Sequence, residues 1–116
     1  MVTFSANLGF LWADLPLPAA IRAAKAAGFD AVECHWPYAT PPTEITAALK
    51  DTGLEMLGLN TPKSAGGVGL FGLSALPGHE ALARAVIDQS LSFAADIGAR
   101  SLHVMAGMAS GAAAQA

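Results

Sequence analysis

Charge is scarce in this chain. Only 13% of its 116 residues are Asp, Glu, Lys or Arg, about half the share of an ordinary soluble domain. The six basic residues form no cluster and the net charge is −3, which argues against the basic stripe of a nucleic-acid surface. One cysteine, Cys34, is present, so no disulfide can close within the chain and a reducing cytosol is the expected location. Long hydrophobic runs are missing too. Near the N-terminus only Leu8 to Ala13 is apolar, followed by Asp14 and Pro16, with no basic leader ahead of it. That stretch is expected to be neither a signal peptide nor a membrane span.

What the chain has instead is apolar residues, 53% of the total. Such a composition suits strands buried on both faces, as in parallel sheets covered by helices. The stretch Gly28-Phe29-Asp30-Ala31-Val32-Glu33-Cys34-His35-Trp36-Pro37-Tyr38 shows how it is used. An alanine-rich helix runs into Gly28, a residue suited to the left-handed position past a helix end. A short apolar strand follows, Ala31 to Cys34, and its far end carries acid, imidazole and aromatic groups before Pro37 stops the ladder.

The frame recurs at Gly53 to Asn60 and again at Gly98 to Met105. Each is a helix, a stop glycine and a strand ending in polar or sulfur-bearing groups, which is the β–α unit of a doubly wound sheet or a (β/α)₈ barrel. In order, the first strand is Thr3 to Asn7, and a helix starts at Asp14 or the Leu15-Pro16 step with Leu17, Ile21 and Ala24 as its apolar stripe. Thr40, Pro41 and Pro42 open a second helix with Ile45, Ala48 and Leu49 inward, and the third strand runs from Leu54 to Leu59. A long connection, Asn60 to His79, has the length of a functional lid or a disordered segment. The third helix begins near Gly78 to Ala81, places Leu82, Val86, Ser90, Phe93 and Ile97 on one side, and ends at Gly98. The fourth strand is Ser101 to Ala106, and the tail 107–116 has no room to complete a helix.

Four strands alternating with three helices are too few helices to cover both faces of an open sheet. They match the first half of an eight-stranded barrel, so residues 1–116 are expected to be the N-terminal half of a single (β/α)₈ TIM-barrel domain. Parity supports this, because alternate side chains share a face. Ser5 and Asn7, Glu33 and His35, and Ser101 and His103 form a polar set that would point into the barrel. Phe4, Val32 with Cys34, and Leu102 with Val104 would pack against outer helices. Leu57, Leu59 and Met105 are also expected on the inward face, where a full barrel would fill in around them. Half a barrel leaves its first and fourth strands as open edges, so self-association is expected.

The candidate site residues follow from this geometry. Glu33 and His35 end one strand facing inward, and an inward carboxylate must be paired or hydrated. Trp36 and Tyr38 can form an aromatic wall, Asn7 and Asn60 place amides at strand ends, and His103 can bond a ligand or hold a metal. Cys34, on the opposite parity, is an inert buried thiol. Gly67-Val68-Gly69-Leu70-Phe71-Gly72 has the spacing of a dinucleotide fingerprint. It does not join a strand directly to a helix, so it reads as a flexible lid.

Phe4-Ser5-Ala6-Asn7-Leu8, Ala26 to Glu33, Trp36-Pro37-Tyr38, Asn60-Thr61-Pro62, Ala75-Leu76-Pro77-Gly78 and Leu102 to Gly107 resemble the amino-terminal half of hydroxypyruvate isomerases. These are (β/α)₈ barrels of the xylose-isomerase-like group, and 2-oxo-tetronate isomerases share the opening. The resemblance implies a cytosolic isomerase interconverting hydroxypyruvate and 2-hydroxy-3-oxopropanoate through an enediolate, with two carboxylates moving the carbon-bound proton. It implies a small hydroxy-oxo acid held by Asn7, Glu33, His35, Trp36, Tyr38, Asn60 and His103. The family's catalytic glutamates, and the ligands of a divalent ion such as Mg or Mn, come from later strands outside this chain. These 116 residues alone are therefore expected to be inactive. The chain departs from the family in the long loop, where Lys63-Ser64-Ala65 and Gly69-Leu70-Phe71-Gly72 replace a Gly-Asp-Trp start and a Gly-Glu-Arg-Gly turn. The alternatives are a 2-oxo-tetronate isomerase or a non-catalytic half-barrel that binds a small acid or assembles with another chain.

Overall fold

The computed structural model describes residues 1–111 and 114. The expectation that the tail forms no further helix falls partly on 112, 113, 115 and 116, outside the described residues. The chain runs β1 (Ser5–Asn7), α1 (Leu17–Ala26), β2 (Ala31–Glu33), α2 (Pro42–Thr52), β3 (Glu55–Met56), β4 (Gly58–Asn60), α3 (Glu80–Asp96) and β5 (Ser101–His103). α1 starts later than Asp14: Leu15 N–H closes a turn onto Trp12 C=O, 3.0 Å away, and Pro16 is still extended, with ψ 143°. Pro16 then caps the helix and Pro18 sits in its first turn, where no intrahelical donor is lost. Gly53 closes α2 in the left-handed conformation, donating its N–H to Leu49 C=O at 2.8 Å.

All strand pairs are parallel. Asn7 lies opposite Glu33, Val32 opposite Met56, and Asn60 opposite His103. The third strand of the sequence reading is broken at Leu57 into β3 and β4, yet the sheet continues across the break. Leu57 N–H donates to Val32 C=O (2.8 Å), Cys34 N–H to Gly58 C=O (3.0 Å) and Asn60 N–H to His35 C=O (2.8 Å). The strand sequence is thus first, second, third, fourth, the order of consecutive barrel strands joined by helical crossovers.

The break has a geometric consequence. Met56 and Leu59 are an odd number of residues apart, yet both are buried in the helix-side core, each 1% exposed. One extra residue in the strand, as in a bulge, resets the alternation. Leu59 therefore faces the helices and not the barrel interior, contrary to the sequence reading, and Gly58 and Asn60 take the polar face instead.

Ala6, Val32, Cys34, Met56 and Leu59 from the strands meet Ala20, Ile21, Ala24, Ile45, Ala48, Ala94 and Ile97 from the helical units. Cys34 lies in this layer as its parity requires. Two residues assigned to it do not: Phe4 is 65% and Val104 41% exposed. Each lies just outside a three-residue strand, so alternation no longer fixes its side. On α3 the buried stripe is Ala83, Val86, Ser90 and Ala94, with Leu82 and Phe93 only partly covered. No helix among the described residues is long and apolar enough to cross a membrane.

Candidate functional site

The polar parity set converges except for Ser5, which lies at the start of β1 and outside the lining. Asn7, Glu33, His35, Asn60, Ser101 and His103 line one concavity of about 400 Å³ on the helix-free face of the sheet, at and near the carboxyl ends of the strands. Its floor is cut low by Gly58, where a Cβ would come within 2.9 Å of Ser101 Oγ. Ser101 Oγ–H in turn donates to Leu57 C=O at 2.7 Å, which ties the bulge to β5.

Asn7 turns its amide oxygen back to accept Gly9 N–H at 2.9 Å, and Leu8 N–H donates to Glu33 C=O at 2.8 Å. Together these carry the chain after β1 across the end of β2, so that Gly9 lies against the His35 ring. A Cβ at Gly9 would stand closer than 3.0 Å to Nδ1, Cγ and Cε1 of His35. The ring is also met edge-on by Phe10, with centroids 4.9 Å apart, and by Trp36 at 5.1 Å. On β4 and β5, Asn60 Oδ1 lies 3.2 Å from His103 Nδ1.

Trp36 and Tyr38 stand apart from this concavity. Trp36 donates its Nε1–H to Thr61 C=O at 3.1 Å and lines a separate depression with His35 and Leu17. Tyr38 packs on the core and meets the Phe93 ring at 5.1 Å, and its hydroxyl donates to Asn60 C=O. Burial pushes the Tyr38 phenol above its ordinary value, so it stays a donor at neutral pH. Burial first, and the Glu33 charge second, push the Cys34 thiol up to about 12.

Residues outside the sequence-derived set organise the rim. Thr61, 3% exposed, accepts Met105 N–H on Oγ1 at 2.9 Å, donates its N–H to His103 C=O at 2.9 Å, and accepts from Trp36. Lys63 holds its ammonium 3.9 Å from the Trp36 ring centroid and 5.3 Å from that of Phe71. The long connection is tied down: Gly72 N–H donates to Lys63 C=O (2.9 Å), Ala75 N–H to Ala106 C=O (2.7 Å), and Gly72 bridges Ala106. Gly72 passes so close to the Met105 carbonyl that a Cβ there would clash. The glycine run leads into this crossing, not into a helix N-terminus, which excludes the dinucleotide reading. Asn60-Thr61-Pro62 was visible in sequence as a motif, but Thr61's three partners become adjacent only in the fold.

The family model of the xylose isomerase-like TIM barrel matches residues 21–116. The chain belongs to the xylose isomerase-like TIM barrel family. A Homo sapiens relative, named provisionally as a hydroxypyruvate isomerase, is 42% identical over 105 residues, covering 90% of this chain and 38% of that protein. A Haemophilus influenzae protein named 2-oxo-tetronate isomerase is 38% identical over 105 residues, covering 90% of this chain and 41% of its own length. Among solved structures, a Brucella melitensis protein described as AP endonuclease, family 2, superposes with a TM-score of 0.86 at 32% identity, covering 96% of this chain and 43% of that one. The chain thus spans about two fifths of the relatives it matches, and its sheet is a partial barrel of this family.

Proposed function

We propose that this half-barrel is the substrate-holding part of an isomerase for small hydroxy-oxo acids, interconverting hydroxypyruvate and 2-hydroxy-3-oxopropanoate. The observation that carries the reading is the single concavity lined by Asn7, Glu33, His35, Asn60 and His103, at the barrel end where enzymes of this architecture place their sites. Amides and imidazoles at strand ends can bond the hydroxyls and carbonyl of a three-carbon acid. Relatives named for hydroxypyruvate and for 2-oxo-tetronate isomerisation support the class, and the 42% identity to the Homo sapiens relative, against 38% to the Haemophilus influenzae one, supports the three-carbon substrate. A cytosolic location is part of this reading, and the single thiol, buried and free, supports it.

In this reading the proton on carbon is moved by carboxylates outside the chain, while Glu33 lines the wall and Trp36 and Tyr38 support the rim from behind. Among the described residues no three His, Cys, Asp or Glu side chains converge to hold a metal. The family resemblance points to strands outside this chain for the ligands of an ion such as Mg or Mn. The test is a coupled isomerisation assay on the 116-residue chain, with hydroxypyruvate binding followed by NMR. Shifts confined to the concavity with no turnover are expected. Turnover lost on Glu33→Gln would make Glu33 a catalyst, and shifts confined to other surfaces would overturn the reading and favour a pure assembly module.

A further inference from the structure

We propose that His103 is the group that takes up and returns a hydroxyl proton in this site, locked by Asn60 with Nδ1 protonated and Nε2 free, and that Tyr38 is a positioning residue acting through Asn60. The inference rests on the reading of the concavity as a hydroxy-oxo acid site, but its first step stands on geometry alone. Asn60 and His103 are direct cross-strand partners, and Asn60 Oδ1 lies 3.2 Å from His103 Nδ1. An amide oxygen has no proton to give, so the proton of that bond belongs to Nδ1 and the other ring nitrogen keeps its lone pair. The nitrogen left free belongs to a residue that lines the same concavity as Glu33 and His35.

Asn60 is held so that it can do this. Its N–H donates to His35 C=O at 2.8 Å, and its C=O accepts the Tyr38 hydroxyl. Tyr38 is braced by Phe93 of α3. The His103 backbone is fixed by Thr61 N–H on its carbonyl at 2.9 Å. A hydrogen-bonded series therefore runs from the helix layer through Tyr38 and Asn60 to the imidazole, and Tyr38, which does not line the concavity, acts only through Asn60.

Isomerisation of hydroxypyruvate needs two protons moved, not one. The carbon-bound proton goes from C3 to C2 by way of carboxylates. The hydroxyl proton must leave O3, which becomes the aldehyde oxygen, and reach O2, which was the ketone oxygen. In the proposed step the O3–H bond breaks as Nε2–H forms, giving a transient imidazolium. That N–H bond then breaks as O2–H forms, and the neutral ring is restored. No external oxidant, reductant or co-reactant is consumed.

The experiment is a long-range ¹H–¹⁵N correlation of the imidazoles in labelled protein, where protonated and lone-pair nitrogens resonate far apart. In the unliganded protein His103 should show Nδ1 protonated and Nε2 unprotonated; a protonated Nε2 with a bare Nδ1 overturns the proposal. Asn60→Leu should move the ring toward the opposite tautomer, Asn60→Asp should retain it, and Tyr38→Phe should give a mixture. The unsubstituted spectrum decides even if a variant fails to fold. On titration with hydroxypyruvate the Nε2 signal should move toward the protonated range. If amides of Glu33 and His35 move and Nε2 does not, the proton-transfer role is overturned while the binding site stands. If nothing in the concavity moves, the functional reading fails with it, and the tautomer measurement records that separately.

Discussion

Gly9→Ala probes how the strand-end imidazole is held. Gly9 does not occupy the left-handed region, so an alanine meets no backbone penalty. Taken alone, the lost freedom of the unfolded chain would stabilise by about 0.4–1 kcal/mol. The added methyl, however, stands closer than 3.0 Å to three atoms of the His35 ring, and the ring must leave. Leaving breaks two edge-on contacts, to Phe10 at 4.9 Å and Trp36 at 5.1 Å, each worth about 0.5–1.5 kcal/mol. The net expectation is a destabilisation of about 1–2 kcal/mol, within the usual cost of overpacking. Urea unfolding reads it as a lower midpoint at unchanged slope. In a His35→Ala background the methyl has nothing to strike, so the same substitution should be neutral or slightly stabilising, with a coupling of about 1–3 kcal/mol. If Gly9→Ala costs as much without the imidazole as with it, the argument is refuted, because the penalty then comes from the backbone.

Because the folded Cys34 thiol is raised to about 12 and an unfolded thiol ionises near about 8.5, its contribution is fully present below about pH 8.5. It is lost as pH rises toward about 12, by up to a few kcal/mol; urea midpoints should fall over that range less steeply in Cys34→Ala, and alkylation of folded protein at neutral pH should be slow. Lys63→Met should cost about 0.5–1 kcal/mol by loss of the cation–ring contact and shift the emission of Trp36 in a Trp12→Phe background. Unchanged emission would remove Lys63 from the rim. Among the described residues β1 pairs only with β2 and β5 only with β4, and Phe10 beside the open face is 76% exposed. The chain should therefore self-associate at micromolar concentration, and sedimentation as a stable monodisperse monomer would count against the open-edge argument.

The barrel was legible because two local signals agree along the chain: glycine stops after amphipathic helices, and alternation of polar and apolar residues in the strands between them. The break at Leu57 was not. Leu54-Glu55-Met56-Leu57-Gly58-Leu59 reads as one apolar strand, and only Gly58 hints otherwise, since an isolated glycine within a strand often marks a bulge or a close backbone approach. Missing that hint turned Leu59 to the wrong face. Phe4 and Val104 failed for the related reason that parity holds only inside the ladder, and these ladders are three residues long.

The site divides along the same line. Asn7, Glu33 and His103 are strand residues at positions where a period of two fixes their side; His35 lies two residues past β2, but its carbonyl still accepts Asn60 N–H, and all four meet in one concavity. Asn60 joins them only because the extra residue at Leu57 restores the phase. Trp36 and Tyr38 lie beyond β2 (Ala31–Glu33), on either side of Pro37, where no period constrains them, and their surroundings are set by distant partners: Thr61 for one, Phe93 for the other. Gly9 and Thr61 escaped notice because their importance lies in what passes beside them. Sequence gives no measure of how near a loop after β1 comes to the ring at the end of β2. What could have found Thr61 is an accounting of backbone donors. Once β5 ends at His103, Met105 N–H has no ladder partner, and a small hydroxyl residue just past the neighbouring strand is the nearest group able to accept it.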